Sequence, residues 1–269
     1  MVKKHHKTIV LSDLHLGSKW SKVKSVTRFL KKNSCDTLIL CGDIIDGWNI
    51  MRGKKVKWKK SHTTFMKLLL DIQHTTHIIY IRGNHDDFLD RVVPIHFQNI
   101  DVVKDYTYIS NGKSYYVTHG DIFATITSRF SWLAHIGDIG YTALLWINKL
   151  YNNYRIKKGL SYYSLSKEIK NKVKVSVSYI SDFERHLTEI ARKKKCDGII
   201  CGHIHHAEIN YYDEILYLNS GDWIESLTAL TEDYEGNWQI ITYEQFEEEQ
   251  KQEQQKAEKR KTPQLKIAI

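Results

Sequence analysis

Long apolar runs are missing from this 269-residue chain. The start, Met1 to Lys7, is polar, and the run that follows, Thr8 to Leu11, is far too short for a signal-peptide core or a membrane span. The expected location is therefore the cytosol. Cysteine is scarce as well: Cys35, Cys41, Cys196 and Cys201 form no C-x-x-C pair, which argues against a structural zinc knot. Cys41 and Cys201 end apolar runs, where small buried thiols belong, and reduced structural thiols are expected. Only two prolines accompany many Lys, Ile, Asn and Tyr, a bias that reads as a genome rich in A and T and bears on no function. No internal repeat is present, and beyond Glu244 apolar residues almost vanish until Leu265. Residues 246–269 therefore read as a charged, frayed helix or disordered tail.

What is present suffices for a large core, since 42% of the residues are hydrophobic. The formal net charge of +9 favours anionic partners such as nucleotides, nucleic acid or an acidic membrane face, although solubility alone explains such a balance equally well.

Short apolar runs recur at Thr8 to Leu11, Thr37 to Cys41, His77 to Ile81, Tyr115 to Thr118, Gly198 to Cys201 and Ile215 to Leu218, and read as buried strands. Helical stretches, Lys22 to Lys32 and His62 to Gln73, separate the first three, which implies an α/β sandwich. Asn111-Gly112 between Tyr106 to Ser110 and Lys113 to Thr118 spells a hairpin with a type I′ turn, so the sheet structure is mixed. Two more hairpins are expected across Ile209 to Asn219 and Leu227 to Tyr243. From Ile122 to Lys195 large apolar groups fall at helical spacing, and this stretch reads as a helical cap inserted between core segments 1–121 and 196–245.

The strand ends carry the chemistry. Ser12-Asp13-Leu14-His15 places a carboxylate and an imidazole on one side of an extended segment. Gly42-Asp43-Ile44-Ile45-Asp46 and Gly83-Asn84-His85-Asp86 follow the next two strands, at the edge where α/β sheets bind ligands. His119 in Thr118-His119-Gly120-Asp121, then His203 and His205 in Gly202-His203-Ile204-His205-His206, complete the set. Oxygen and imidazole donors without thiolate suit Mn²⁺, Fe or Zn²⁺ at a catalytic centre. The remaining histidines, His5, His6, His62, His74, His77, His96, His135 and His186, read as surface or packing residues.

These blocks resemble the calcineurin-like metallophosphoesterases, whose signature runs Asp-x-His, Gly-Asp-x-x-Asp, Gly-Asn-His-Asp, His and Gly-His-x-His. Every block is present in order between Thr8 and Gly221. The resemblance implies a four-layer β-sandwich flanked by helices. It also implies one divalent ion on Asp13, His15, Asp43 and His205, and a second on Asp43, Asn84, His119 and His203, with Asp43 bridging. Two such ions about 3.5–4 Å apart clamp an in-line displacement in which hydroxide is the nucleophile. In this scheme His85 donates to the phosphoryl group or protonates the leaving group, Asp86 orients it, and Asp46 and Asp121 fix ligand imidazoles or amides.

Within the family, Ile9 to Gly17, Gly83 to Leu89, His119-Gly120-Asp121 and Gly221-Asp222-Trp223 are similar to the hydrolases of lipid A biosynthesis that cleave the pyrophosphate of UDP-2,3-diacylglucosamine into UMP and a lipid phosphate. The similarity departs at His85, where enterobacterial-type hydrolases carry arginine, and at the additional Asp87. It implies Mn²⁺ as the metal and peripheral contact with the inner membrane surface. Trp132, Trp146 and Arg155 of the cap and Trp223 are the candidate substrate contacts; an apolar cap suits acyl chains, although amphipathic helices mostly pack on a core. The alternatives are another small phosphodiester, nucleic acid, which a greasy lid fits poorly, or a non-catalytic scaffold, which would be free to lose ligands that are all intact here.

Overall fold

A computed structural model describes residues 3–51, 58–122, 148–160 and 174–261. Twelve strands are found among them: β1 Lys4–Leu11, β2 Asn33–Cys41, β3 His77–Ile81, β4 Ile95–Phe97, β5 Ile100–Val103, β6 Tyr106–Ser110, β7 Lys113–Val117, β8 Gly198–Cys201, β9 Glu208–Tyr212, β10 Ile215–Asn219, β11 Thr228–Glu232 and β12 Trp238–Thr242. They form a seven-stranded sheet ordered β12-β11-β1-β2-β3-β5-β4 and a five-stranded sheet ordered β6-β7-β8-β10-β9. Both are mixed: β1 is parallel to β2 but antiparallel to β11, and β8 joins β7 and β10 in parallel while β9 closes as a hairpin.

The period of two along each strand sorts the core into layers. Ile9, Leu11, Leu38, Leu40, Ile78 and Tyr80 point to one side of the large sheet, where helices Val23–Lys32 and Lys60–Ile72 cover them. The alternate residues Val10, Ile39, Cys41, Ile79 and Ile81 point to the other side and meet Tyr115, Val117, Ile200, Leu216 and Leu218 of the small sheet. The outer face of that sheet packs Ile199, Cys201 and Tyr217 against Phe183, Leu187 and Ala191 of helix Lys174–Lys193. The result is a helix, sheet, sheet, helix sandwich, and each fully buried Ile or Leu contributes about 1.5–3 kcal/mol.

Helix Val23–Lys32 follows from its sequence, since Val23, Val26, Thr27 and Leu30 occupy one buried face at i, i+3, i+4 and i+7, and Lys31 and Lys32 complement the dipole at its last turn. The Asn111-Gly112 turn has φ of 50° and 74°, as a type I′ hairpin requires, and pairs Ser110 with Lys113. Helix Lys174–Lys193 lies in the stretch expected as a cap, yet Phe183, Leu187 and Ala191 at i, i+4 and i+8 make it a layer of the sandwich. The expected tail begins as helix Tyr243–Lys261, which inserts Phe246 beside Phe29 in the core. Cys35, Cys41, Cys196 and Cys201 are free thiols in the interior, and burial pushes Cys35 up to about 12.

Candidate metal centre

Strands β1, β2 and β3 run parallel, and their carboxyl ends open into loops that continue to pair. The Asp13 amide donates to the Gly42 carbonyl at 3.0 Å, that of His15 to Asp43 at 2.9 Å and that of Leu16 to Ile44 at 2.8 Å. To turn inward, these loops bend sharply at the functional residues themselves: Asp13, His15, Asp43, His203 and His205 all have φ between 45° and 70°. Side chains other than glycine visit that left-handed region at a cost, and residues held there cluster at functional sites. Close packing behind them requires glycine. A Cβ on Gly83 would lie 2.2 Å from Asp43 Oδ1, and one on Gly42 only 2.3 Å from His119 Nδ1.

The loops bring Asp13, His15, Asp43, His119, His203 and His205 into one cluster. His205 Nε2 lies 3.1 Å from Asp13 Oδ1, and His15 Nε2 is 3.8 Å from that oxygen and 3.7 Å from Asp43 Oδ2. His119 Nε2 approaches Asp43 Oδ2 at 3.4 Å and His203 Nδ1 at 3.3 Å. Three groupings converge tightly enough to hold an ion, Asp13–His15–His205, Asp13–Asp43–His119 and His15–Asp43–His85, and Asp43 belongs to two of them.

Two observations say that this donor set fits divalent cations. His15 Nε2 and Asn84 Oδ1 are buried with no hydrogen-bond partner, and such atoms are costly unless something binds them. His119 donates Nδ1–H to the Cys41 carbonyl, which leaves Nε2, the atom such a ring offers a metal, facing Asp43. The residues of these groupings, Asp13, His15, Asp43, His85, His119 and His205, could hold a divalent ion.

The electrostatics agree. Burial works to raise the Asp13 carboxyl, but His205 and His15 outweigh it and hold it well below the usual range. Burial disfavours charge on His119, yet Asp43 beside it pushes that imidazole up to about 10. Burial and the neighbouring His119 push His203 down to about 4. The interior is thus strongly cation-seeking at Asp13 and Asp43.

His85 stands at the rim with its side chain 24% exposed. Its Nδ1–H donates to Asp46 Oδ1 at 3.2 Å, and its Nε2 edge lies 4.0 Å from Asp43 Oδ2. Burial lowers its basicity, but Asp46 and Asp43 prevail and raise its pKa. The expectation that Asp86 orients His85 is corrected here. The Asp86 carboxylate turns inward, accepting from the amides of Ile44 (3.0 Å) and Ile45 (2.8 Å) and the Tyr80 hydroxyl (2.8 Å), and so ties β2 to β3. Burial and the nearby Asp43 raise its pKa to about 6.

Asp121 is also placed differently from expectation: it ion-pairs with Arg82, whose Nε lies 2.8 Å from Asp90, so this triad braces the loops rather than a ligand ring. Trp223 is 1% exposed and packs between Phe29 and Tyr243, so its indole is part of the core and not of a pocket wall. Arg155 lies in the helical stretch 148–157 with its guanidinium over the Tyr151 ring. Trp132 and Trp146 lie outside the described residues.

Sequence reasoning missed two contributors. Asn219 donates its amide to the Gly202 carbonyl at 3.0 Å and thereby fixes the loop that carries His203. Trp48 stacks on His85 with ring centroids 4.1 Å apart. The signals were the place of Asn219 at the end of an apolar run and of Trp48 just beyond a Gly-Asp-x-x-Asp block.

No curated protein matches the chain. Solved structures similar to the chain include an archaeal phosphodiesterase (15% identity, TM-score 0.42, covering 87% of this chain and 98% of that one). A hypothetical protein from Pyrococcus horikoshii (10%, 0.47, 88% and 87%) and the phosphoesterase Yfce from E. coli (12%, 0.39, 88% and 98%) are also similar. The family model for calcineurin-like phosphoesterase matches residues 6–207, the span that carries every cluster residue, and the chain belongs to that family of metal-dependent phosphoester hydrolases.

Proposed function

We propose that this enzyme cleaves the pyrophosphate of UDP-2,3-diacylglucosamine, giving UMP and a lipid phosphate, with Mn²⁺ as the metal. The observation that carries the chemistry is the placement of His85, whose Nδ1 is engaged by Asp46 while its Nε2 edge faces the cluster centred on Asp43. The bound ions supply an activated water and electrostatic stabilisation of the phosphoryl oxygens. His85, its basicity raised by Asp46 and Asp43 against the effect of burial, gives its Nε2 proton to the leaving oxygen as the P–O bond to it breaks and the bond from the water oxygen forms. The proton released from that water returns through solvent to the imidazole, so the net reaction consumes one water. Asp13 and Asp43 would hold the ions, and the loops bent at His15, His203 and His205 keep these side chains in place without reorganisation.

The substrate assignment is supported by the similarity of Ile9 to Gly17, Gly83 to Leu89 and Gly221 to Trp223 to the lipid A hydrolases. A lipid product would bring the enzyme to the inner membrane surface, and no described helix is long and apolar enough to cross a membrane. A second reading, hydrolysis of another small phosphodiester, is favoured by one observation: a neutral-to-cationic imidazole, His85, stands where those hydrolases carry arginine.

Mn²⁺-loaded protein should be assayed on UDP-2,3-diacylglucosamine beside bis-p-nitrophenyl phosphate, with Asp43→Ala as the blank. Metal-dependent release of UMP with slow cleavage of the artificial ester supports the lipid substrate. Brisk cleavage of the ester with the lipid nucleotide untouched replaces it by the second reading.

A further inference from the structure

The loop after β2 and the loop after β3 meet in a network that the scheme above leaves unused. The Gly47 amide donates to the His85 carbonyl at 3.0 Å. A Cβ on Gly47 would lie 2.5 Å from the Phe88 ring and 2.6 Å from that same carbonyl oxygen, so the two backbones touch. One residue further, the Trp48 indole covers the face of the His85 imidazole at 4.1 Å between centroids and 29° between planes. The indole is itself held, since Trp48 Nε1–H donates to Asp87 Oδ2 at 3.2 Å. On another side His15 meets the same imidazole edge-on, 4.5 Å away at 89°.

His85 is thereby fixed by Asp46 at Nδ1, by Trp48 on a face and by His15 at a flank. An imidazole held at Nδ1 alone still rocks about that one hydrogen bond, sweeping Nε2 through an arc. A stacked indole removes this freedom, and proton transfer depends steeply on such alignment. We infer that Trp48, anchored by Asp87, is a positioning residue that locks the His85 ring plane so that Nε2–H points at the leaving oxygen. This rests on the reading of His85 as the acid.

The test compares Trp48→Leu, Trp48→Phe and Asp87→Ala with wild type and with His85→Ala on methyl aryl phosphodiesters whose leaving phenols span a range of pKa. Metal content is measured on every protein. Acid assistance matters most for poor leaving groups, so Trp48→Leu should lower kcat about tenfold on the most basic phenolate, a part of the 10²–10⁴-fold a positioned acid supplies, and little on p-nitrophenolate. KM and bound metal should stay as in wild type, Trp48→Phe should restore most of the rate, and Asp87→Ala, removing an exposed carboxylate, should show a weaker loss of the same kind.

A loss equal for all leaving groups, a raised KM at unchanged kcat, or no rescue by Trp48→Phe overturns the inference while leaving the acid intact, provided His85→Ala shows the leaving-group dependence. If His85→Ala shows none, the acid reading itself fails and the positioning role goes with it. Should Trp48→Leu not fold, Asp87→Ala alone decides: wild-type leaving-group dependence in that variant overturns the anchor.

Discussion

The His119 imidazole donates Nδ1–H to the Cys41 carbonyl at 2.9 Å, and that single bond decides what the rest of the ring can do. Cys41 is the last residue of β2, so the strand that delivers Asp43 two residues later also sets the tautomer of its neighbour. Nε2 is left facing Asp43 Oδ2 and His203 Nδ1. His119→Ala should therefore lower bound Mn²⁺ from about two ions per chain to about one, because only one ion of the pair draws on this ring. Elemental analysis after dialysis measures it; an unchanged stoichiometry would remove His119 from the ligand set.

Gly83 has no room for a side chain. Its added Cβ would stand 2.2 Å from Asp43 Oδ1 and 2.4 Å from the Asp43 amide nitrogen, neither of which is a flexible chain end. Gly83→Ala must displace the shared carboxylate or the loop beneath it, costing about 1–3 kcal/mol as overpacking does. Urea unfolding together with Mn²⁺ titration checks this, with both midpoint and affinity expected to fall. Wild-type values in both would show that the loop yields freely and that Asp43 is not pinned there.

Next to Phe183, whose ring stacks on His203, Glu184 is buried and hydrogen-bonded by the Tyr212 hydroxyl. Burial and the neighbouring Glu208 push its pKa up to about 7 from 4.5. A carboxyl raised on folding adds stability below its unfolded pKa and loses that contribution as pH rises through the folded value. Between pH 4.5 and 7, then, this group makes the folded state progressively less stable. Glu184→Gln should flatten the decline in thermal midpoint between pH 5 and 8, and identical slopes for the two proteins would refute the assignment.

Much of the site was legible because its residues sit directly after apolar runs of strand length. Asp13, Asp43, Asn84, His119 and His203 are each one to three residues past a strand, and a parallel strand leaves its successor little choice of edge. Contacts between loops were not legible. Asp86 is the chain neighbour of His85, but consecutive side chains in a tight loop diverge, and Asp86 spends its oxygens on the amides of Ile44 and Ile45. Asp46, 39 residues away, takes the imidazole instead. Helix Lys174–Lys193 shows the same limit at larger scale. The spacing of Phe183, Leu187 and Ala191 announces a helix, but which sheet face it covers depends on partners such as Ile199 and Tyr217 that periodicity alone does not name.

Trp223 offers the sharpest separation of core from pocket. Its position after Asn219-Ser220-Gly221 invites a role in stacking against a base, yet the indole is 1% exposed, with Phe29 at 5.7 Å and Tyr243 at 6.0 Å between centroids. Its backbone amide donates to the Asp13 carbonyl at 3.2 Å, so the residue braces a ligand loop from behind through its main chain. Trp223→Ala should cost about 3–5 kcal/mol in unfolding free energy, the range for emptying a buried aromatic site. Trp223→Phe keeps the amide and most of the volume, so it should retain KM and metal content and lose less stability. Equilibrium unfolding and steady-state kinetics on both variants distinguish the roles, because a stacking residue would raise KM in Trp223→Ala out of proportion to any loss of fold.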